Sequence, residues 1–244
     1  MSFSEPTLKN PATKFIDFKS DSGTFQYYDK ETEKQILVPF PIYFIVLDEL
    51  STISGFCEKV KAGIYSNEVH RISEEPLNVR TFKGGEGASG LYKEISDRIK
   101  VLGGKYTKSV YAMLIKTDKA PELVNFRFKG AAFSAWLDKK IDIAKMIIGI
   151  TGIIEATKGK TVYNVPVFKA FKMKEEHALQ ATAMDQELQD YLRVYKSKQI
   201  EKIESKEESK EEVKVDPIET AIRNGDYEHN KSDLTPDNAS DLPF

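Results

Sequence analysis

The chain has few of the residues on which disulfides, metal centres and nucleophilic sites depend. Its single cysteine, Cys57, excludes an internal disulfide and is typical of a reducing cytoplasm. The three histidines, His70, His177 and His229, lack metal-ligand spacing. No Ser/His/Asp or Cys/His arrangement is visible. The sequence therefore predicts a protein that is not an enzyme and that needs no metal or other cofactor.

Long apolar segments are also absent. The longest run, Ile141–Ile154, is interrupted by Asp142, Lys145 and two glycines, so no segment is expected to span a membrane. The first residues, Met1–Pro6, lack the basic and apolar regions of a signal peptide. A cytoplasmic location is the resulting expectation.

The small net charge of −2 conceals an asymmetry. Residues 200–244 carry 13 acidic and 6 basic side chains, a net charge of −7. The other 30 basic and 25 acidic residues give the preceding part a net charge of +5. A basic body with an acidic tail is expected when the body binds a polyanion and the tail competes or recruits partners. The alternative is that the tail only keeps the protein soluble.

Turn residues separate many short aromatic and β-branched runs, which predicts a mainly β fold. The predicted organisation is a flexible arm over residues 1–12, a β-rich domain over 13–172, a helix over 173–200 and a disordered acidic tail over 201–244. Two further short helices are expected, over 91–100 and 131–139. This pattern, without βαβ units, favours an OB-like barrel with inserted helices.

The helix after Glu175 carries apolar residues at a spacing of three and four. Two heptads are too few to indicate a coiled coil, so the stripe is predicted either to pack on the body or to form a short dimer contact. The stripe consists of Ala181, Met184, Leu188, Tyr191 and Tyr195.

Two features that resemble catalytic motifs do not fit them. The glycine-rich segment Lys83–Gly90 lacks the spacing of a nucleotide-binding loop, so it is expected to be a plain connector or a loop that touches a nucleic-acid backbone. Asp48 and Glu49 are neighbours on a predicted strand and should point to opposite faces. Cys57 and Trp136 lie in apolar surroundings and are predicted to be core residues.

Aromatic and basic residues recur side by side on several predicted strands. Non-specific binding of a single-stranded nucleic acid needs cations along the phosphates and flat rings on which bases stack. Aromatic residues at strand spacing are more often core, however, and that alternative applies to each ring. The candidate nucleic-acid-binding residues are Phe25, Tyr27, Tyr28, Tyr65, Arg80, Phe82, Lys83, Lys105, Tyr106, Lys108, Arg127, Lys129, Lys158 and Lys160.

Strand alternation assigns several of these side chains to a face. Leu77 and Val79 should face the core, which leaves Arg80 and Phe82 on the other face. Phe25 and Tyr27 should share one face, opposite Tyr28. On the strand Leu123–Lys129, the buried set is predicted to be Val124, Phe126 and Phe128, and the outer basic ladder Asn125, Arg127 and Lys129.

The last residues, Asp241, Leu242, Pro243 and Phe244, form an apolar hook after an acidic string and are the candidate partner-binding residues. The ending resembles the acidic tip of bacterial single-stranded DNA-binding proteins, which ends in Ile-Pro-Phe. The segments Phe25–Lys30 and Gly130–Trp136 resemble single-stranded DNA-binding proteins of bacteriophages of the Bacteroides group.

These resemblances imply an OB-like fold that binds and protects single-stranded DNA during phage replication or recombination. The acidic tip would recruit replication or recombination proteins, the location would be the host cytoplasm, and a homo-oligomer is possible. The alternative is an interaction or virion-associated protein that docks through its acidic tail without DNA.

Overall fold

The computed structural model describes residues 9–85, 87–117, 119–139, 143 and 146–211, with residues 200–211 described only in their backbone. The fold is mainly β, with one large mixed sheet and three helices. Its strands are β1 (Lys14–Lys19), β2 (Thr24–Asp29), β3 (Lys34–Val38), β4 (Ile42–Cys57), β5 (Ala62–Tyr65), β6 (Leu77–Thr81), β7 (Gly87–Gly90), β8 (Gly104–Ile115), β9 (Glu122–Phe128), β10 (Met146–Lys158) and β11 (Thr161–Lys172). The helices are α1 (Tyr92–Leu102), α2 (Ala131–Asp138) and α3 (Glu175–Glu211).

The strands follow the order β3-β2-β1-β9-β8-β4-β5-β6-β7, and β10 branches from β4 and carries β11. All pairs are antiparallel except β1 with β9. The backbone N–H of Asn164 on β11 donates to the Ser20 carbonyl beside the β1–β2 turn at 2.7 Å. The sheet is nevertheless not closed, so the predicted OB-like barrel is not confirmed.

One face of the sheet, here called the inner face, carries the two larger cores. The β10–β11 hairpin and α2 cover the first, which is rich in rings that include Phe44, Phe126 and Trp136. Helix α1 covers the second, where Ile99 and Leu102 pack on strands β4 to β6. Trp136 and Cys57 are 1% and 2% exposed, which confirms both as core residues.

The opposite face, here called the outer face, is covered in its middle by α3. Leu188 and Leu192 pack against Leu50 and Tyr111 of the sheet. Ala181, two turns earlier in the helix than Leu188, packs against Met113. The apolar stripe of this helix therefore packs on the body. The chain divides into two units after Lys202, and the first contains the sheet and all side-chain contacts described here.

Three segment boundaries differ from those predicted. Strand β4 is longer than the short strands predicted, because a bulge between Val46 and Asp48 lets its pairing with β8 continue from Tyr43 to Gly55. The predicted arm is shorter than 12 residues, since Ala12 is buried and Asn10 donates to the Tyr111 hydroxyl at 3.0 Å. Helix α3 continues beyond residue 200 to Glu211.

Asp48 and Glu49 point to opposite faces, as predicted. The Asp48 carboxylate lies 3.0 Å from His70 Nε2 on the outer face. The Glu49 carboxylate accepts a hydrogen bond from Trp136 Nε1 at 2.5 Å on the inner face. The two carboxylates therefore do not form a joint acid–base site.

Glu122 on β9 links the parallel strands β1 and β9, and its ionisation makes the folding stability depend on pH. Burial raises its pKa, but hydrogen bonds from Lys116, Lys14 and Thr13 outweigh burial and hold the pKa at about 2, against a usual 4.5. A depressed pKa stabilises the fold above pH 4.5, and this stabilisation is lost as the pH falls towards 2. We expect Glu122→Gln to lower the free energy of unfolding by about 1–3 kcal/mol at pH 7.

Chemical denaturation at pH 7 and near pH 2 measures this effect, and the difference from the parent should shrink in acid. The matched control is Glu58→Gln, because the Glu58–Lys61 pair is largely exposed and should contribute little. Equal losses for both variants at pH 7 would contradict the role given to Glu122.

Candidate nucleic-acid interface

Five residues form a row across neighbouring strands at one end of the outer face. Lys105 on β8 lies opposite Ser54 on β4, and Ser54 lies opposite Tyr65 on β5. Tyr65 lies opposite Arg80 on β6, which pairs with Gly87 on β7. Residues directly opposite in adjacent strands share a face, so Lys105 and Arg80 flank Tyr65. Their Cα atoms are about 14 Å apart, from three strand spacings.

An exposed pair of aromatic rings lies within this row. The rings of Tyr65 and Phe82 stack with centroids 4.6 Å apart and planes inclined by 28°. Tyr65 is 39% and Phe82 75% exposed. Gly63 makes this possible, because a Cβ at that position would lie 2.9 Å from the Phe82 ring. Phe56 on β4 lies opposite Gly63 and is 49% exposed, so it extends the apolar surface.

We call Phe56, Tyr65, Phe82, Arg80 and Lys105 the platform. The alternation predicted for this strand is confirmed, since Leu77 and Val79 are each 1% exposed while Arg80 points outward. Lys83 follows Phe82 in the next turn and is also exposed. The platform therefore combines three exposed rings with cations on both sides.

The platform cations are available for a ligand. Arg80 Nε donates to Asn78 Oδ1 at 3.0 Å, which leaves the two terminal guanidinium nitrogens outward. Within the described ranges, neither these two nitrogens nor the ammonium groups of Lys83 and Lys105 have a hydrogen-bond or ion-pair partner. An anion at the platform would thus meet uncompensated positive charge.

The cations on the β9 side of the outer face are partly neutralised. Arg127 forms an ion pair with Asp17, and Lys129 lies 3.4 Å from the same carboxylate. Asn125, the third member of the predicted ladder, is fully buried and donates to Ser109. The prediction of an exposed ladder is therefore wrong for Asn125. Arg127 and Lys129 share one compensating carboxylate, which leaves one net positive charge.

A second group of exposed apolar side chains lies beside this pair. Phe15 on β1 and Tyr28 on β2 are opposite each other by strand register and are 38% and 53% exposed. Leu37 on β3, 60% exposed, continues the group, and the Arg127 guanidinium lies 5.6 Å from the Phe15 ring centre. We call Phe15, Tyr28 and Leu37 the β1–β3 surface.

The middle of the outer face is filled by a buried polar network. The Glu68 carboxylate accepts hydrogen bonds from Ser109 Oγ at 2.5 Å and the Tyr111 hydroxyl at 2.7 Å. The Tyr195 hydroxyl of α3 accepts from the Glu68 backbone N–H at 3.1 Å. Burial raises the pKa of Glu68 despite these hydrogen bonds. The segment 66–76 and α3 therefore occupy the outer face between the platform and the β1–β3 surface.

Four predicted contact residues face the inner side. Phe25 is completely buried in the main core, so its ring cannot stack on a base. Tyr27 packs on the same core, with Lys14 Nζ 5.1 Å from its ring centre. Tyr106 packs on Phe133, and burial raises its pKa. Lys108 shares this face by alternation. Stacking on a base is thus wrong for Phe25. Register places the other three on the face opposite to the platform, so they are not part of it and their contact with a nucleic acid stays a prediction.

The remaining predicted residues lie elsewhere. Lys158 and Lys160 flank the exposed tip of the β10–β11 hairpin, which packs on the inner face, so they are not part of the platform. Asp241, Leu242, Pro243 and Phe244 lie outside the described residues.

Phe56, Phe15 and Asn78 were missed at the sequence level. A signal for Phe56 exists, since the alternation that buries Cys57 places its neighbour outward. Phe15 carries the same kind of signal beside buried Ile16. Asn78 carries no such sequence signal, because its contact with Arg80 forms only in the folded strand.

Comparison with known proteins gives no match: no family model, no curated protein and no solved structure matches the chain. None of the described helices is long and apolar enough to cross a membrane. In the described part of the chain, no three His, Cys, Asp or Glu side chains are grouped so that they could hold a metal ion. Interpretation of the site therefore depends on its geometry.

Proposed function

We propose that this protein binds single-stranded DNA without strong sequence specificity and protects it during replication or recombination, as a phage protein in the host cytoplasm. It does so without catalysis, and its acidic C-terminal residues recruit partner proteins. The observation that carries the proposal is the exposed Tyr65–Phe82 ring pair between Arg80 and Lys105. Bases stack on rings whatever their identity, and the cations bind phosphates.

The exposure of the platform rings has no evident structural benefit. A single exposed apolar side chain is ordinary, but three neighbouring rings on one face form a patch of the kind that marks interaction sites. The flanking cations make the patch suited to an anionic ligand that also has flat apolar faces. A single-stranded nucleic acid has both properties.

The path of the strand is proposed to run from the platform towards the β1–β3 surface. Lys129 directly follows Phe128, which pairs with Lys108 on β8, so Lys129 lies about level with Thr107. Its Cα is therefore about 8 Å from that of Lys105, from two residues along the strand and one strand spacing. Lys129 and Arg127 would bind the phosphates of the strand between the platform rings and the rings of the β1–β3 surface. This open curved surface would serve as the strand-bearing face of an OB-like barrel does.

The salt dependence of binding tests this proposal. The parent protein should bind labelled oligo-dT, and log affinity should fall linearly with log salt concentration, with a slope of about −0.7 for each phosphate neutralised. Lys105→Ala should make the slope shallower by about one such step. Lys100→Ala is the matched control, since Lys100 lies on α1, which covers the inner face, and forms an exposed pair with Asp97, so its loss should leave the slope unchanged.

Two results would count against DNA binding. One is an affinity that does not respond to salt. The other is equal affinity for duplex and single-stranded DNA of the same length, because bases in a duplex cannot stack on protein rings.

A second candidate function is an interaction or virion-associated protein that docks without DNA. Ile154 and Val162 on the β10–β11 hairpin are 57% and 55% exposed. They favour this second function, because exposed apolar side chains on a hairpin suit contact with a protein partner. The same oligo-dT titration separates the candidates, since this function requires no DNA binding at low salt.

A further inference from the structure

We propose that the platform recognises one base of the bound strand and that Arg80 favours guanine at this position. This inference rests on the proposed single-stranded DNA binding and adds a local base preference to it. The strand as a whole remains bound through stacking and phosphate contacts.

The position of Arg80 places its side chain beside the stacking surface. Its Cα is directly opposite that of Tyr65, and Phe82 lies two residues further on the same face, about 7 Å away. The outward face of Phe82 is open, with the ring 75% exposed. A base stacked there would extend its edge towards the Arg80 guanidinium. Lys105 and Lys83 lie further from the stacked base than Arg80 does, where the sugar–phosphate backbone of the strand would pass.

The guanidinium is held in a defined orientation. Asn78 Oδ1 accepts from Arg80 Nε at 3.0 Å and from Ser89 Oγ at 3.2 Å. The Asn78 backbone N–H donates to Asn67 Oδ1 at 2.6 Å, and Asn67 Nδ2 donates to the Pro76 carbonyl at 3.0 Å. Because Nε is already used, the two terminal nitrogens present a pair of parallel donors. Asn78 is a positioning residue in this arrangement.

Guanine is the base whose edge matches that pair of donors. Its O6 and N7 are adjacent acceptors, which Arg binds in a bidentate manner. On the corresponding edge, adenine presents an N6 donor beside N7, cytosine presents an N4 donor, and thymine offers only O4. The adjacent N3 and O2 acceptors of an unpaired cytosine lie on its other edge, beside the sugar. The arginine fork also fits a phosphate, so the comparison of bases described next separates a base edge from the backbone as its ligand.

The test compares short oligo-dT strands that carry one central replacement. The replacements are guanine, inosine, 7-deazaguanine, adenine and cytosine, and affinity is measured by fluorescence anisotropy at one salt concentration. Guanine and inosine, which both keep O6 and N7, should bind at least about fivefold more tightly than the others, the low end of bidentate discrimination. Adenine and 7-deazaguanine control for the better stacking of purines.

Variants of the full-length protein separate readout from charge. Arg80→Lys keeps the charge and should lose the guanine preference, which is read as the ratio of its affinities for the guanine strand and for plain oligo-dT, so that any general loss of affinity cancels. Asn78→Ala should reduce the preference with little change in oligo-dT affinity, since it only releases Nε. Lys105→Ala should weaken all strands by the same factor and leave the preference intact.

Three results would overturn the inference. If the parent binds all strands with equal affinity, Arg80 does not recognise a base, and the proposed function remains. If Arg80→Lys keeps the guanine preference, another group produces it. If no strand binds at all, the proposed function fails together with the inference.

Discussion

Replacement of Phe82 by Ala is expected to weaken single-stranded DNA binding by about 1–3 kcal/mol, roughly fivefold to more than a hundredfold, while the melting temperature stays close to that of the parent. The ring is 75% exposed and contacts Tyr65 and the bare backbone of Gly63, so its removal opens no cavity. What the variant loses is the outermost surface on which a base can stack. Anisotropy titration with oligo-dT and a thermal melt measure the two effects.

Phe25→Ala is the matched control, because the same side chain is removed from a site that is 0% exposed. That variant should lose about 3–5 kcal/mol of folding stability, and its folded fraction should bind DNA normally. If Phe82→Ala behaved in this way instead, the ring would be part of the fold and the platform would not be a stacking site.

Tyr65→Ala should weaken binding less than Phe82→Ala, because Tyr65 is the less exposed ring of the stacked pair. The double variant should lose less affinity than the two single losses combined, because Tyr65 supports the ring that contacts the base. Additive losses would indicate that the two rings contact separate bases.

The parts of the interface that could be predicted depend on local alternation within one strand. The segment Leu77–Phe82 shows this, since Leu77 and Val79 identify the buried face and thereby the exposed one. Val124, Phe126 and Phe128 are all 0% exposed for the same reason. Alternation has a period of two residues and needs no knowledge of the neighbouring strands.

The parts that could not be predicted depend on pairings between distant strands. The ion pair of Arg127 with Asp17 spans 110 residues and arises from the parallel pairing of β1 with β9. The cations around Tyr106 in the sequence predict a binding surface, but register places this residue on the inner face, where its hydroxyl lies 2.8 Å from Ser51 Oγ and its ring packs on Phe133. The open sheet likewise depends on where β10 joins β4, which short strand patterns do not encode.

Deletion of residues 212–244 is expected to tighten single-stranded DNA binding, most strongly at low salt. This segment carries 8 acidic and 3 basic residues, a net charge of −5. The deletion leaves α3 intact, because that helix ends at Glu211. We expect a tethered polyanion to compete with DNA for the basic body at an effective concentration that free peptide does not reach. Screening by salt weakens this competition, so the parent and the truncated protein should converge at high ionic strength.

Phe244→Ala tests whether the segment has a second role that charge does not provide. The substitution keeps every charge of the tail, so DNA affinity should match that of the parent at each salt concentration. The hook hypothesis expects Leu242 and Phe244 to supply apolar surface for a partner's pocket, with Pro243 stiffening the backbone between them and Asp241 meeting a basic rim. Capture of replication or recombination proteins by the immobilised protein should therefore be lost with Phe244→Ala. If this variant captures the same partners as the parent, or shifts DNA affinity as much as the deletion does, the tail acts only as an electrostatic competitor and the hook has no role.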